Sequence, residues 1–305
     1  MIAELALFLA GLAILVWGAS RAVTAAADLA LHYGVSAFFI GVTVISVGTS
    51  VPEMTTSVYA ALYGAGDLVV GNIVGSETSQ ITLALGVVAI LAPFAARRRQ
   101  TLIYGGAMVL AMVIMMLTLE DGVIGRSEGF LMMLAYAAFV HDMYTSRGGE
   151  EITEEVVESE PPRQTVPWIL LGLALTAVGG HLLVTNGVAL ARIVGVPEFL
   201  IGLLTGLGTT LPEITVAGIA ATHGRQGISV GALLGSNITD PVFSLGVGAL
   251  VADVTVGNAA AASASMQYML AVSLVVLGIL YWREGAGRPE GAVCVLLYLP
   301  SFLVI

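Results

Sequence analysis

Long apolar runs alternate with short polar breaks along almost the whole chain. A membrane-spanning helix needs about 20 mostly apolar residues, and ten runs meet that requirement. The pattern predicts spans at 2–20, 35–62, 68–92, 101–119, 123–143, 166–186, 198–222, 228–252, 262–282 and 289–305. The one long polar stretch, 144–165, is rich in glutamate and contains a Pro-Pro pair, so we interpret it as a solvated linker.

One polar, carboxylate-bearing segment occurs twice inside this apolar sequence. Residues 48–53 read G-T-S-V-P-E, and residues 208–213 read G-T-T-L-P-E, at an offset of 160. A second matched segment follows each at the same offset, G-N-I-V-G-S at 71–76 and G-A-L-L-G-S at 231–236. Two matches at one offset indicate a duplicated unit.

The number of spans in each repeat determines how the two halves are related. Five spans is an odd number, so the second half must enter the membrane upside down relative to the first. The predicted fold class is therefore an all-α membrane protein with ten transmembrane helices as two inverted five-helix repeats, 1–143 and 166–305, joined by the linker 144–165. Inverted repeats of this kind build secondary transporters, whose substrate site lies at the midplane between the halves.

The arginines predict which side of the membrane each loop faces. Cytoplasmic loops carry an excess of basic residues, and all 11 basic residues here are arginine. If the N-terminus is external, only Arg126 and Arg192 fall outside the cell. We therefore expect a multi-pass protein of the cell membrane with both termini external and the acidic linker in the cytoplasm.

Composition supports a membrane protein and excludes some chemistry. The chain has 305 residues, 57% of them hydrophobic and 10% charged, whereas soluble domains carry about 25% charged residues. Its mean hydropathy is +0.96. Cys294 is the only cysteine, which excludes an internal disulfide framework and Cys-rich metal sites. The net charge of −10 and the absence of lysine fit both a salt-loving organism and a GC-rich genome.

Each repeated carboxylate follows a proline. Pro52 and Pro212 lack an N–H and push against the carbonyl four residues earlier, so they are expected to break the second and seventh helices. Loose backbone survives in lipid only where it is buried in protein or lines a wet cavity. Hard oxygen donors in a flexible cage suit Ca2+ and Na+ better than Mg2+. We expect Glu53 and Glu213 to be the charged ligands. Further candidate donors are the carbonyls of Thr49 and Thr209 and the hydroxyls of Ser50 and Thr210.

A second polar element lies on the third and eighth predicted helices. Ser76 and Gln80 are four residues apart, as are Ser236 and Asp240, so each pair shares a helix face that can meet the broken helices. Glycines at four-residue spacing predict close helix contacts at 71, 75, 231 and 235. Both elements also have a structural interpretation, because a protonated Glu or a serine can simply bond a nearby helix. Their duplication in both halves favours a functional one.

These segments resemble the paired alpha-repeats of the cation/Ca2+ exchanger superfamily, and within it the small prokaryotic sodium/calcium exchangers. The family pattern is G-T-S-x-P-E followed by G-N-x-x-G-S-x-x-x-N or D, and the resemblance covers essentially the whole chain. It implies that the two repeat glutamates ligate Ca2+ and share Na+ sites with Thr carbonyls and Ser hydroxyls. The ligands carried over by position are Glu53, Glu213, Thr49, Thr209, Ser50, Thr210, Ser76, Ser236 and Asp240.

Four departures from the family pattern bear on ion selectivity. Gln80 stands where Asn or Asp is usual and reaches one methylene further. Glu77 adds an acid that either faces the cavity and makes the site more anionic or faces away and needs a partner. One residue is missing before Gly208, because the upstream match of 34–41 with 195–202 has an offset of 161. Pro241 is expected to kink the eighth helix.

The resemblance implies a secondary active antiporter that exchanges Na+ for Ca2+ by alternating access. Its moving part would be the first and sixth helices, 5–17 and 168–185. The transported ions are Ca2+ and Na+, and we expect no prosthetic group, no nucleic acid partner and a functional monomer in the lipid bilayer. The sequence contains no HExxH motif or other catalytic constellation, so we do not expect an enzyme.

Two other functions remain open at this stage. The first is an exchanger of the same fold with H+ in place of Na+, or with Mg2+ or another divalent ion in place of Ca2+; titratable glutamates are compatible with proton coupling. The second is a passive cation channel lined by the same acids. Channels usually assemble several chains around an axis, whereas this chain already pairs two halves.

Overall fold

The computed structural model describes residues 2–145, 162–193 and 210–301, and in these ranges the chain is almost entirely helical. The first half contains α1 (Ile2–Tyr33), α2a (Ala37–Thr49), α2b (Val51–Leu62), α3 (Gly66–Leu91), α4 (Arg98–Thr118) and α5 (Arg126–Thr145). The second half contains α6 (Pro162–Ile193), α7 (Leu211–Thr222), α8 (226–251), α9 (Ala259–Arg283) and α10 (Arg288–Tyr298). The described ranges also contain four two-residue strands that the sequence pattern did not predict: β1 (Phe94–Ala95), β2 (Val123–Ile124), β3 (Val254–Thr255) and β4 (Gly285–Ala286).

The helix boundaries repeat with the offset found in the sequence. α6, α7 and α8 begin and end 160 residues after α1, α2b and α3, respectively. Counting the two pieces of α2 as one, the described residues contain ten helical segments. Five described helices are each long and apolar enough to cross a membrane, and the bent α2 pair makes a sixth.

The short strands join the two halves. β1 pairs with β4 and β2 pairs with β3, both antiparallel. In the predicted topology β1 and β4 both lie in cytoplasmic loops and β3 lies in an external loop. β2 lies at the external end of the predicted span 123–143, where the structure has a strand that precedes α5. The pairing therefore joins loops that ten alternating spans place on the same side, as inverted repeats require.

Polar contacts between loops follow the same rule. The Arg98 guanidinium lies 3.1 Å from the Glu284 carboxylate, in the loops that carry β1 and β4. At the other end of the molecule the Asp67 carboxylate accepts bonds from the backbone N–H groups of Gly257 and Asn258, at 3.2 and 3.0 Å. These contacts fix the ends of the helices that surround the centre of the bundle.

α1 and α6 are longer than the predicted spans 2–20 and 166–186. Each has 32 residues, or about 48 Å of helix, against a hydrocarbon core of about 30 Å. The predicted first span ends before Arg21, and a charge is costly in lipid. In the structure that guanidinium lies over the rings of Trp17 and Trp168, 5.5 and 5.6 Å from their centroids. Beyond it α1 continues as an alanine-rich helix whose inner face is buried.

α1 and α6 pack directly backbone to backbone. A Cβ added at Gly18 would lie 2.7 Å from the Gly172 carbonyl oxygen, and one added at Gly179 would lie 2.3 Å from the Leu15 nitrogen. Small residues let helices approach closely in membranes, where dispersion and not hydrophobic exclusion holds them together. The two long helices therefore form one unit along one side of the bundle.

Gly179→Ala is expected to lower the free energy of unfolding by about 1–3 kcal/mol, because overpacking would force α1 and α6 apart. The measurement is the temperature at which the purified protein loses its monodisperse gel-filtration peak. Gly106→Ala is the matched control, since a Cβ there meets no described atom within 4 Å. An equal effect of the two substitutions would contradict the close packing.

The predicted break at Pro52 is confirmed. α2a and α2b are bent by 43° at Ser50, whose φ of −77° and ψ of 4° depart from helical values. The described part of α7 begins at Leu211 with Pro212 in its first turn, and the preceding residues lie outside the described ranges. Pro241 lies in a π-helical turn, Asp240–Ser244, in α8. An equivalent π-helical turn in α3, Gln80–Ala84, contains no proline, so the irregularity belongs to the repeat and not to Pro241 alone.

Candidate cation site

A polar layer lies in the centre of the bundle, where the break in α2 meets α3, α7 and α8. The bend at Ser50 and the π-helical turns of α3 and α8 lie in this layer, where the polar side chains of the four helices meet. Every candidate residue that the structure describes is buried, with at most 2% of its surface exposed. These residues are Thr49, Ser50, Glu53, Ser76, Glu77, Gln80, Thr210, Glu213, Ser236 and Asp240. Thr209, the remaining candidate, lies outside the described residues.

In the first repeat the glutamate is bonded to the second polar element. Glu53 is in the first turn of α2b, and its Oε1 accepts a 3.0 Å hydrogen bond from the Ser76 hydroxyl of α3. Its Oε2 is buried without a partner among the described residues. The G-T-S-x-P-E and G-S segments thus meet as the sequence pattern predicted.

In the second repeat the equivalent polar atoms have fewer hydrogen-bond partners. Both carboxylate oxygens of Glu213 and the hydroxyl of Ser236 are buried, and none has a hydrogen-bond partner in the described part of the chain. The neighbouring hydroxyl of Thr210 is bonded across the halves to that of Ser79, at 2.9 Å. Three oxygens of the second repeat are therefore available to a ligand.

Hydroxyl groups of the α2 break face the carboxyl groups of the second half. The Thr49 hydroxyl lies near the Glu213 carboxylate, and the Ser50 hydroxyl lies near Asp240. Neither pair has hydrogen-bond geometry. The Thr49 hydroxyl instead donates to the Ser46 carbonyl at 3.2 Å, and the Ser50 hydroxyl has no described partner. The broken helix therefore presents oxygens towards both halves.

A chain of amide and carboxyl groups crosses the repeat axis. Gln80 donates from Nε2 to Oδ2 of Asp240 at 3.2 Å, and these residues occupy the same position in the two repeats. Asn237 donates from Nδ2 to Oε1 of Gln80 at 3.0 Å, and Ser244 donates to Oδ1 of Asp240 at 3.0 Å. The longer reach of Gln80 is thus used to contact Asp240 directly.

Glu77 lies with the site and not away from it. The residue is fully buried, and Asp240 followed by Glu53 are the charged groups that act on it most strongly. Neither of its carboxylate oxygens has a hydrogen-bond partner among the described residues. Of the two orientations weighed from the sequence, the structure has the one that makes the centre more anionic.

The sequence reasoning did not single out Ser46, Ser244 and Tyr136 as contributors to this layer. The Ser46 and Thr239 hydroxyls contact each other at 3.2 Å between α2a and α8. The Tyr136 ring of α5 packs on Phe243 at 4.9 Å, beside Thr239. Ser46 and Ser244 each lie four residues from a candidate, Ser50 and Asp240, and that helical spacing was the available signal. No sequence signal pointed to Tyr136.

Close backbone contact holds α8 against α2a at this level. A Cβ on Gly231 would lie 2.5 Å from the Phe38 carbonyl oxygen, and one on Gly235 would lie 2.6 Å from the Cα of Val42. The predicted helix contact at these two glycines is confirmed. Gly71 and Gly75, their counterparts, have no neighbour within 4 Å among the described residues.

A bound cation would stabilise charged carboxylates in this layer. Four buried carboxyl groups repel one another there, and the described groups that contact them are hydroxyls and amides. Burying charges without a counter-charge is costly. No three acidic, imidazole or thiol groups of the described ranges converge as a compact metal cluster. A bound cation would therefore take hydroxyl and backbone oxygens as well as carboxylates, a donor set that suits Na+ and Ca2+.

Comparison with known proteins places this architecture in a defined group. The chain matches the family described as "Sodium/calcium exchanger protein" over residues 3–144 and 165–305. It is 33% identical to the inner membrane protein YrbG of Escherichia coli, over 97% of this chain and 94% of that protein. It is 27% identical to the sodium/calcium exchanger MaX1 of Methanosarcina acetivorans, over 98% and 97%.

A solved structure has the same fold. The sodium-calcium exchanger NCX_Mj, soaked with zero Na+ and Ca2+, superposes with a TM-score of 0.83 and 26% identity over 99% of each chain. This similarity confirms the predicted all-α membrane fold of ten transmembrane helices in two inverted repeats.

Proposed function

Because the chain belongs to the sodium/calcium exchanger protein family, we propose that it exchanges Na+ for Ca2+ across the cell membrane by alternating access. It is a multi-pass membrane protein of an exchanger family. The finer assignment of ions and mechanism is our proposal, and it depends on the polar layer at the centre of the bundle.

The observation that supports the proposal best is the pair of fully buried repeat glutamates with unpartnered oxygens. Glu53 has one such oxygen and Glu213 has two. Each belongs to the first turn of a helix that begins beside a proline, α2b or α7, one in each inverted half. Ionisable groups kept at midplane depth mark ion pathways in membrane proteins.

We propose that hydroxyls and carbonyls complete the coordination around the two glutamates. Ca2+ takes six to eight oxygen ligands, more than two carboxylates supply. The proposed Ca2+ and Na+ donors, besides Glu53 and Glu213, are Thr49, Thr209, Ser50, Thr210, Ser76, Ser236, Asp240, Gln80 and Glu77. Na+ and Ca2+ compete for this overlapping set, so each leaves as the other enters.

The buried charge explains exchange as opposed to leak. Facing carboxylates in a low-dielectric layer cannot all remain charged and unneutralised. A protein without bound cations would therefore be poor at changing its access between the two sides. The change of access from one membrane face to the other is favoured only when cations neutralise the layer.

We propose that α1 and α6 move together over the rest of the bundle. They form one packed unit, and their hydrophobic cluster, which also includes residues of α2a, α7 and α8, is separate from the main cluster. α6 contacts the site at Gly48, where a Cβ would lie 2.2 Å from a methyl group of Leu173. A shift of this unit would therefore directly change the packing of the G-T-S-V-P-E segment.

Orientation and assembly complete the proposal. The arginine distribution favours external termini and a cytoplasmic linker, 144–165, between repeats at 1–143 and 166–305. Since the chain pairs two halves internally, a monomer can form the complete layer. The ions are transported substrates, and the proposed partners are Ca2+, Na+ and the lipid bilayer, with no nucleic acid.

The test is 45Ca2+ uptake into proteoliposomes that hold the purified protein, loaded with Na+ and diluted into Na+-free buffer. Uptake is expected to vanish without the Na+ gradient and to survive a protonophore. Uptake that follows a pH gradient instead would support H+ coupling. Transport of Mg2+ without transport of Ca2+ would indicate that the exchanged divalent ion is not Ca2+. Uptake that is independent of any counter-ion gradient would indicate a channel.

A further inference from the structure

An arginine lies on the outer surface of the α1–α6 unit, between two tryptophan rings. The guanidinium carbon of Arg21 is 5.5 Å from the ring centroid of Trp17 in α1 and 5.6 Å from that of Trp168 in α6. All three residues are exposed. Cation–π contacts stabilise an exposed charge only modestly. The rings therefore hold the guanidinium in place but do not substitute for an anion.

The Arg21 guanidinium has five N–H donors and no oxygen acceptor in the part of the chain that the structure describes. Arg98 and Arg283, by contrast, each contact a carboxylate, at 3.1 and 2.8 Å. The planar fork of a guanidinium matches the oxygens of a phosphate group, to which it can donate two parallel hydrogen bonds. A phosphate that approaches from outside the protein can therefore satisfy these donors.

The exposed surface of both helices changes from apolar to polar at the level of this cluster. Antiparallel packing brings the residues before Arg21 in α1 beside those after Trp168 in α6. The large apolar residues exposed on that side are Leu9, Leu12, Val16, Leu170 and Leu171. Exposed residues on the other side include Thr24, His32 and Arg163. Since tryptophan is enriched at the headgroup level of membranes, the cluster marks the boundary between hydrocarbon and headgroups.

The cluster occurs at only one end of the α1–α6 unit. The repeat offset of 160 places Ala177 at the position of Trp17 and His181 at that of Arg21. α1 also packs closely on α6 in the other half of the unit, where a Cβ on Gly11 would lie 2.7 Å from a backbone nitrogen of α6. Close helix packing alone therefore does not require the cluster. The proposed orientation places it at the cytoplasmic leaflet, where anionic lipids attract basic side chains.

We propose that Trp17, Arg21 and Trp168 form a binding site for the phosphate group of an anionic phospholipid. The phosphate oxygens accept hydrogen bonds from the guanidinium, and the acyl chains lie along the exposed apolar surface of α1 and α6. The site is separate from the polar layer, and it does not depend on which ions are exchanged. Because all three residues belong to the α1–α6 unit, a bound lipid ties that unit to the membrane surface.

The test is native mass spectrometry of the delipidated full-length protein, titrated with dioleoylphosphatidylglycerol and separately with dioleoylphosphatidylcholine. The wild type is expected to bind its first phosphatidylglycerol at least about tenfold more tightly than phosphatidylcholine. Arg21→Gln removes the charge and is expected to weaken phosphatidylglycerol binding by at least about tenfold. Trp168→Leu keeps the arginine and is expected to weaken it about two- to fivefold. The matched control is Arg99→Gln, because Arg99 is exposed and has no described ring contact; it is expected to bind like the wild type.

The outcomes separate a built site from general attraction of lipid to basic residues. Weaker binding confined to Arg21→Gln and Trp168→Leu would support the site. Since Trp168→Leu changes no charge, its result decides the question if Arg21→Gln does not fold. Equal loss in Arg21→Gln and Arg99→Gln, or equal affinity of the wild type for the two lipids, would overturn the site. Displacement of phosphatidylglycerol by inorganic phosphate at the same concentration would indicate a site for the free anion and overturn the lipid assignment.

Discussion

Glu53→Gln and Glu213→Gln are each expected to reduce Na+-driven Ca2+ uptake by at least about 100-fold, because each removes a charged ligand from a buried cation site. The amide keeps the volume of the side chain and one oxygen, so the helix packing is preserved. What is lost is the negative charge that offsets the desolvation of Ca2+. The measurement is the initial rate of 45Ca2+ uptake into Na+-loaded proteoliposomes at matched protein content.

Two comparisons make this result specific to the site. Glu284→Gln removes an acid that is paired with Arg98 at a helix end and is largely exposed, and its uptake rate is expected to equal that of the wild type. The second comparison is between the halves, since both glutamates must be required if the ions bind between the repeats. Wild-type uptake by either glutamine variant would remove that residue from the proposed ligand set.

Much of the fold was predictable because duplication leaves a signal that single helices do not. The matched segments at 48–53 and 208–213, together with ten apolar runs, implied inverted halves before any contact was known. Proline chemistry also predicted the break between α2a and α2b correctly. These inferences depend on local sequence and on counting, which is why they could be made without the structure.

The extent of α1 and the pairing of β1 with β4 required the structure. A hydropathy window stops at Arg21, because it does not register that two tryptophan rings cover the guanidinium or that the alanines beyond it are buried. The strands are two residues long and pair across the halves, so no periodicity reveals them. Both features depend on partners that are distant in the sequence.

In the site, too, some features could be predicted from the sequence and others required the structure. The two glutamates and their serines were identified from the repeated pattern, and Glu53 and Ser76 are in contact. The direction in which Glu77 faces could not be decided from the sequence, because a single acid next to G-S fits either face of α3. The structure decides it through Asp240, a residue of the other half.

Gly235→Ala is expected to lower Na+-driven Ca2+ uptake by at least about tenfold and to destabilise the protein by about 1–3 kcal/mol. The new Cβ would lie 2.6 Å from the Cα of Val42 and 2.9 Å from the Cβ of Ser46. These atoms belong to backbone or lie next to it, so the strain can be relieved only by moving α2a away from α8. That movement would break the 3.2 Å contact between Ser46 and Thr239 and widen the polar layer beside Ser236 and Asp240.

Three readouts distinguish a site effect from simple loss of fold. Uptake is measured as above, and 45Ca2+ affinity and thermal stability are measured on the same purified protein. Gly106→Ala adds the same methyl group where nothing described lies within 4 Å, and it is expected to leave all three quantities unchanged. If Gly235→Ala lowered stability but kept wild-type Ca2+ affinity and uptake, the close approach of α8 to α2a would be a packing feature with no part in holding the ions. A combined loss would show that the glycine spacing of the repeat sets the geometry of the ion-binding layer, because strain of this size corresponds to about a tenfold or greater change in affinity.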